Sequence, residues 1–392
     1  MKKKNLGINT ICTHVGEVPD EQFKGAVSPM YLSSSYEFMD VDVIRYPRYF
    51  NTPNQEYLSK KIAALEHAEA AQIFGSGMAA ISTVMLSFLK SGDHVVVQND
   101  IYGGTRNLIE KHFEDYNIDY SFTKDLDISS FEACMTPATK VIYIETPSNP
   151  LLKLVDMEAV ADLAKSKGIT SVIDNTFASP ILQNPIDFGI DIVLHSATKY
   201  FGGHSDICAG AVAASQMHID TIWKTSIALG GSLSDFTVWM LERSMKTLAI
   251  RVKAQQRNAK KLAKYLNTHE AILKVYYPGL KTHENHAIAK KQMKGYGAMM
   301  SFELKHHIDA SAFLKALKLI KPSMSLAGVE STMLLPSKTS HSLLSPESRA
   351  AQGISDGLIR FSVGIESKKD LIGDIEQAIS HILNSKLTMK NA

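Results

Sequence analysis

Ser171-Val172-Ile173-Asp174-Asn175-Thr176-Phe177 is a short β-rich run that ends on a carboxylate and an amide. Ile190-Asp191-Ile192-Val193-Leu194 repeats the pattern downstream and runs directly into His195-Ser196-Ala197-Thr198-Lys199-Tyr200. Upstream, Val95-Val96-Val97 and Val141-Ile142-Tyr143-Ile144 are runs of the same kind, and helical stretches such as Met157 to Lys165 lie between them. Runs apolar on both faces and separated by helices indicate an α/β domain whose mostly parallel sheet is covered on both sides. The polar residues that follow each run fall where such sheets place ligands, beyond the carboxyl ends of the strands.

Outward from this centre the chain divides three ways. Residues 1–47 lack sustained periodicity and carry turn signals at Ser28-Pro29, Ser33-Ser34-Ser35 and Tyr46-Pro47, which predicts an extended N-terminal arm. Residues 48–243 carry the α/β rhythm, with helices expected over Tyr57 to Leu65 and Met78 to Leu89. Residues 244–392 open on a long helix with Leu248, Val252, Ala259, Leu262 and Leu266 on one stripe. Two β-rich runs, Met300 to Leu304 and Leu358 to Val363, and a last helix from Asp370 complete a smaller α+β domain.

The 392 residues are 45% hydrophobic and 21% charged, the balance of a globular protein, and suggest two or three domains. A net charge of +2 argues against nucleic acid or an anionic membrane as partner. No run of eighteen apolar residues occurs, so a membrane span is not expected. Cys12, Cys134 and Cys208 show neither disulfide nor metal spacing, which fits a reducing cytoplasm.

Four features carry chemistry. Gly75-Ser76-Gly77-Met78-Ala79-Ala80 is a glycine turn opening a helix, which lets backbone N–H groups approach a phosphate. Asp174 is costly to hold at the end of a buried strand without a cation such as a protonated ring nitrogen. Ser196 and Thr198 can bond a phosphate while Lys199 forms an imine with an aldehyde. Arg360, in the β-rich run near the C-terminus, offers a fork for a carboxylate, worth roughly 1.5–3 kcal/mol. Singly these read as a turn, an N-cap, a surface lysine and a solvent-facing arginine. In this order, with 25 residues from Asp174 to Lys199, they match what pyridoxal 5'-phosphate (PLP) requires.

The ordered series is similar to the Cys/Met-metabolism PLP enzymes, the group of cystathionine γ-synthases, cystathionine γ-lyases, cystathionine β-lyases and methionine γ-lyases. It runs through Tyr46-Pro47-Arg48, Ser76 to Ala80, Tyr102-Gly103-Gly104-Thr105, Glu145-Thr146-Pro147-Ser148-Asn149-Pro150, Asp174 to Phe177, Ser196 to Tyr200 and Gly202-Gly203-His204-Ser205-Asp206. It continues in Gly328-Val329-Glu330-Ser331, Gly353-Ile354-Ser355-Asp356 and Leu358 to Gly364. The resemblance implies a fold type I PLP-dependent transferase-like architecture. It implies Lys199 as Schiff-base lysine and proton carrier, Asp174 as partner of the ring nitrogen, and Tyr102 as the stacking residue. The phosphate would rest on Gly77, Met78, Ser196 and Thr198, and the substrate carboxylate on Asn149, Ser331 and Arg360. Tyr46 and Arg48 would reach the neighbouring subunit's site, within a cytoplasmic homotetramer built as a dimer of dimers.

The expected activity is γ-replacement or γ-elimination on homoserine-derived substrates or cystathionine, with β-elimination as the alternative. Gly104 stands where methionine γ-lyases usually carry cysteine, which lowers that option. Tyr49-Phe50-Asn51-Thr52-Pro53-Asn54 departs from the usual Ser/Arg-Gly-Asn-Pro-Thr, Arg45 replaces an often acidic residue, and Asn107 an arginine. Arg45 would either favour an anionic distal group on the substrate or pair with Asp40 or Asp42. A dinucleotide-dependent oxidoreductase is the rival of another class, since Gly75 to Ala80 fits G-x-G-x-x-A and Asp100 follows the Val95–Val97 run. A non-catalytic scaffold is disfavoured by the presence of Lys199. A metal site at His283-Glu284-Asn285-His286 or His306-His307 lacks a third ligand.

Overall fold

The computed structural model describes residues 6–342 and 345–390. The described chain forms two units: residues up to 146 with 155–250, and residues 147–154 with those from 251 onward. Among the described residues, no helix is long and apolar enough to cross a membrane.

The first unit is built on a seven-stranded sheet of β1 (Ala70–Phe74), β2 (His94–Val97), β3 (Asp119–Phe122), β4 (Thr139–Glu145), β5 (Thr170–Asp174), β6 (Ile192–His195) and β7 (Gly210–Ala214). Their order is β1-β7-β6-β5-β4-β2-β3. Strands β2 to β6 run parallel, and β7 lies antiparallel to both β6 and β1. Alternation along each strand feeds two cores. Val95, Val97, Val141, Tyr143, Val172 and Leu194 meet Ala80 and Val84 of the helix Gly77–Phe88 on one face. Val96, Ile142, Ile144, Ile173 and Val193 meet Met157, Val160 and Ala164 of the helix Met157–Lys167 on the other. The expected mostly parallel sheet, covered on both sides, is therefore present. The sequence reading lacked β1 and β7, where alanine and glycine dominate, and β3, a four-residue run broken by Asp119 and Ser121.

The departure at Tyr49–Asn54 has a local purpose. Thr52 accepts a hydrogen bond from Gln55 N at 3.3 Å and Gln55 Oε1 accepts one from Thr52 N at 3.1 Å, a reciprocal cap on the helix Pro53–Glu66. Residues 15–46 form neither helix nor strand. Trp239 Nε1 holds them by donating to Ser28 O at 2.8 Å, as does Asn54 Nδ2 to Pro29 O at 2.9 Å.

The second unit carries a five-stranded sheet of β8 (Ile272–Tyr276), β9 (Met299–Leu304), β10 (Lys321–Pro322), β11 (Thr332–Leu334) and β12 (Leu358–Ser362), in the order β10-β11-β12-β9-β8. Two expectations about its limits need correction. The division falls at Ile250/Arg251 rather than after residue 243. The helix Asp235–Met245 belongs with the first unit, where Asp235 takes the hydroxyl of Thr52 and Glu242 pairs with Lys61. In addition, Pro147–Leu154 leaves the first unit to join the second.

Two glycines give a paired stability test. A Cβ on Gly210 would stand 2.1 Å from Ser76 O and 2.6 Å from Ser76 C, both rigid backbone atoms. A Cβ on Gly373, in the helix Lys368–Lys390, would meet nothing within 4 Å. Gly210→Ala should therefore lower the midpoint of thermal unfolding by the equivalent of about 1–3 kcal/mol. Gly373→Ala should raise it by about 0.5–1 kcal/mol. Calorimetry on the two variants checks both signs.

Candidate active site

The carboxyl ends of the first unit's strands gather a set of polar groups. Ser76 caps the helix Gly77–Phe88 by accepting from Ala79 N at 3.0 Å. Helix geometry leaves the N–H groups of Gly77 and Met78 without an intrahelical acceptor, aimed outward with the positive end of the helix dipole. Ser196 lies against this end: a Cβ on Gly77 would be 2.9 Å from its Cβ and 3.1 Å from its Oγ. Glycine at 77 is thus what admits the hydroxyl beside the helix terminus.

Asp174 closes β5 and is buried. Burial pushes its carboxyl up, while hydrogen bonds from Thr176 and the charges of His195 and Lys199 pull it back down. Thr176 N donates to Asp174 Oδ1 at 2.9 Å, and Thr176 Oγ1 accepts from Ser196 N at 2.8 Å. One threonine therefore ties the carboxylate of Asp174 to the turn that carries Ser196 and Lys199.

Tyr102 caps the helix Gly103–His112, and 42% of its surface is exposed. Glu145 Oε2, at the end of β4, accepts from Tyr102 N at 2.7 Å. A Cβ on Gly104 would lie 2.5 Å from Tyr102 Cε1, so the ring occupies the space of any side chain at 104. Glu145 is a positioning residue that the sequence reading missed. Its signal was present, since it ends an apolar strand as Asp174 does.

Thr198 is engaged differently from Ser196. Its hydroxyl donates to Ala209 O at 3.2 Å and accepts from Ala209 N at 3.0 Å. To serve a phosphate it would have to give up the first of these bonds. Tyr46 and Arg48 sit at the exposed end of the arm, with the guanidinium 5.9 Å from the Tyr46 ring centroid and 5.5 Å from that of Tyr49. Arg48 also donates to Ile227 O.

In the second unit, Arg360 Nη1 donates to Asn149 Oδ1 at 3.1 Å and Nη2 to Ser325 O at 2.9 Å, with the arginine only 5% exposed. Ser331 does not join them. Its hydroxyl donates to Glu366 Oε2 at 2.9 Å and accepts from Gly364 N at 2.9 Å, leaving no hydrogen for a substrate carboxylate.

Arg45 pairs with Glu56 at 3.0 Å and donates to Asn51 O, not with Asp40 or Asp42, so its charge is already matched. Arg106 donates to Glu110 at 2.6 Å and to Asn99 Oδ1 at 2.6 Å, and lies 3.9 Å from the Phe122 ring centroid. It is committed within the unit and does not stand in for the arginine absent at Asn107. The dinucleotide alternative fails on topology. Its fingerprint needs the strand before the glycine turn to neighbour the parallel strand after the helix. Here β1 and β2 are separated by β7, β6, β5 and β4, and β1 pairs antiparallel with β7.

A sequence model of the family described as Cys/Met metabolism PLP-dependent enzyme matches residues 9–380. The chain is 42% identical over 386 residues to the cystathionine gamma-lyase of Bacillus subtilis (strain 168), covering 97% of this chain and 100% of that protein. It is 40% identical over 368 residues to the cystathionine beta-lyase of Lactococcus lactis subsp. cremoris (strain MG1363), covering 93% and 97%. It superposes with a TM-score of 0.93 on the cystathionine gamma synthase of Xanthomonas oryzae pv. oryzae solved in complex with cystathionine, at 38% identity over 97% of this chain and 100% of that one.

The tie made by Thr176 gives a direct test. Thr176→Val keeps the shape and the backbone bond to Asp174 but removes the hydroxyl between the two turns. A bond to a charged group is worth roughly 1.5–3 kcal/mol, so the variant should hold PLP about tenfold or more weakly. Fluorescence titration of the apoenzyme with PLP measures this, with unchanged circular dichroism as the control.

Proposed function

The chain belongs to the Cys/Met metabolism family of PLP-dependent enzymes, and on that premise we propose that it acts at the γ-carbon of cystathionine, cleaving the bond to sulfur. The observation that carries this reading is the buried carboxylate Asp174, under the influence of Lys199, in a chain similar over nearly its whole length to a cystathionine gamma-lyase. A β-lyase reading stands second, favoured by the 40% identity to the Lactococcus protein. The methionine γ-lyase reading is weakened by Gly104, which stands where those enzymes usually carry cysteine.

The residues present fit PLP. Asp174 is a carboxylate whose burial calls for a cationic partner, and the cleft admitted by Gly77 presents two N–H groups beside the Ser196 hydroxyl. When bound, PLP supplies an electron sink for charge developing on substrate carbons. Asp174 would keep the ring nitrogen's proton in place. Gly77 N, Met78 N and Ser196 Oγ would hold the phosphate. Lys199 would attach the cofactor through Nζ and, once displaced by the substrate's amine, would take the α-proton on that atom and carry protons between α- and β-carbons. The open face of Tyr102 would stack on the ring, and its phenol would serve a second proton transfer. Arg360 and Asn149 would receive the substrate's α-carboxylate.

The arm supports self-association. Phe23 and Phe38 are 79% and 70% exposed, and Leu32 and Met39 are exposed as well, an apolar surface that another copy of the chain would cover. We take the assembly to be a cytoplasmic homotetramer in which Tyr46 and Arg48 complete the neighbouring subunit's phosphate site.

Product analysis tests the reaction. With cystathionine, γ-elimination releases cysteine, 2-oxobutanoate and ammonia, whereas β-elimination releases homocysteine, pyruvate and ammonia. The first set is expected, and the second would replace the reading with β-lyase. Lys199→Ala should lose borohydride-fixed cofactor and lower turnover by at least about 10²–10⁴-fold. Mixing Arg48→Ala with Lys199→Ala chains should restore some activity, because one site in a mixed dimer then receives both intact residues. No recovery in proven mixed oligomers would remove the shared site.

A further inference from the structure

Beneath Asp174 lies a buried pair that the mechanism above does not use. Glu66, the last residue of the helix Pro53–Glu66, and His195, the last residue of β6, are 0% and 2% exposed at their side chains. Glu66 Oε1 is 2.5 Å from His195 Nε2, and it also accepts from Asn175 Nδ2 at 3.1 Å. Asn175 donates further to Gln183 O at 3.0 Å, and Gln183 Nε2 returns a bond to Asn175 Oδ1 at 3.0 Å and one to Thr146 O at 2.9 Å. The Phe201 ring packs on the imidazole with centroids 4.6 Å apart. Glu66 Oε2 is buried with no hydrogen-bond partner among the described residues.

The placement follows from strand alternation. Asp174 is in register with Leu194, and both lie on the face of Val172. His195 follows Leu194 and Asn175 follows Asp174, so both turn to the opposite face, with Ile173 and Val193. The pair thus grips the ends of β5 and β6 from the side away from Asp174. A buried carboxylate–imidazole hydrogen bond contributes little net stability compared with apolar residues of equal volume, so its position is the informative fact. Of the two groups, the imidazole is the one that acts on Asp174, drawing its carboxyl down against burial.

We propose that Glu66 and His195 are positioning residues, a buried brace across the sheet that fixes the direction and the charge of Asp174. This rests on the reading of Asp174 as partner of the cofactor's ring nitrogen. The brace hydrogen-bonds the residue after Asp174 and supplies the residue before Ser196. A loosened Glu66 would therefore disturb both the ring-nitrogen and the phosphate ends of the site without touching either.

The test uses holoenzyme loaded with PLP labelled with 15N in the ring. The nitrogen's chemical shift reports whether it carries a proton. Glu66→Gln and His195→Asn should both move the signal toward the unprotonated form, and the apoenzymes should bind PLP about tenfold more weakly. Asp174→Asn is the reference. If it leaves the signal unmoved, the reading of Asp174 itself fails. If it moves the signal while both brace variants, folded by circular dichroism, leave signal and affinity unchanged, the brace is refuted. Failure of both brace variants to fold, while Asp174→Asn folds, would assign the pair to the fold alone and equally overturn the proposal.

Discussion

A carboxylate at the end of an interior strand, such as Asp174, cannot stay charged without compensation, because removing it from water costs several kcal/mol. The first unit is arranged around that constraint. Thr176 returns two hydrogen bonds, and the electrostatic influence of His195 and Lys199 draws the carboxyl's pKa down against burial. The parallel strands β2 to β6 set the ends of β4, β5 and β6 side by side, with Glu145 in register with Asp174. Tyr102 is held from Glu145 and the Ser196 turn is held through Thr176, so both parts depend on where that strand ends.

Legibility in the sequence followed chemical anomaly. Asp174 stands out because a charge directly after an apolar run contradicts its surroundings, and Lys199 because it follows Ser196 and Thr198 in the turn after the next such run. Glu66 gave no such signal, since glutamate is ordinary in a helix and only the tertiary fold buries it. Ser331 is obscured for the opposite reason. Its motif predicted a carboxylate ligand, yet the sequence does not reveal that Glu366, far along the chain, takes its hydrogen. Asp40 and Asp42 are close neighbours of Arg45 in the chain. The capped helix starting at Pro53 instead brings up Glu56. Strands β1 and β7 escaped notice because Ala-Ala-Gln-Ile-Phe and Gly-Ala-Val-Ala-Ala lack β-branched density.

The same small residues have a use that propensity does not register. Gly210 lets β7 come within contact of Ser76 O, which brings the capped start of the helix Gly77–Phe88 down onto the sheet. A bulkier strand would be easier to recognise and would hold that helix end too far out for Ser196 to lie beside Gly77. Weak local signal and close backbone approach are here two aspects of one choice of side chain.

The excursion Pro147–Leu154 bears on how this chain can be divided. Within the second unit, Pro150 O accepts from Ser301 Oγ at 2.7 Å, Leu154 N donates to Asn285 Oδ1 at 3.0 Å, and Asn149 meets Arg360. The segment nevertheless enters from β4 and returns toward the helix Met157–Lys167, both parts of the first unit. No single cut of the polypeptide therefore yields two whole pieces. A fragment ending at residue 250 would carry these eight residues cut off from Ser301, Asn285 and Arg360, and one beginning at 251 would lack the amide that orients Arg360. A ribosome delivering the chain from its N-terminus must likewise hold Pro147–Leu154 without these contacts until Asn285, Ser301 and Arg360 have emerged.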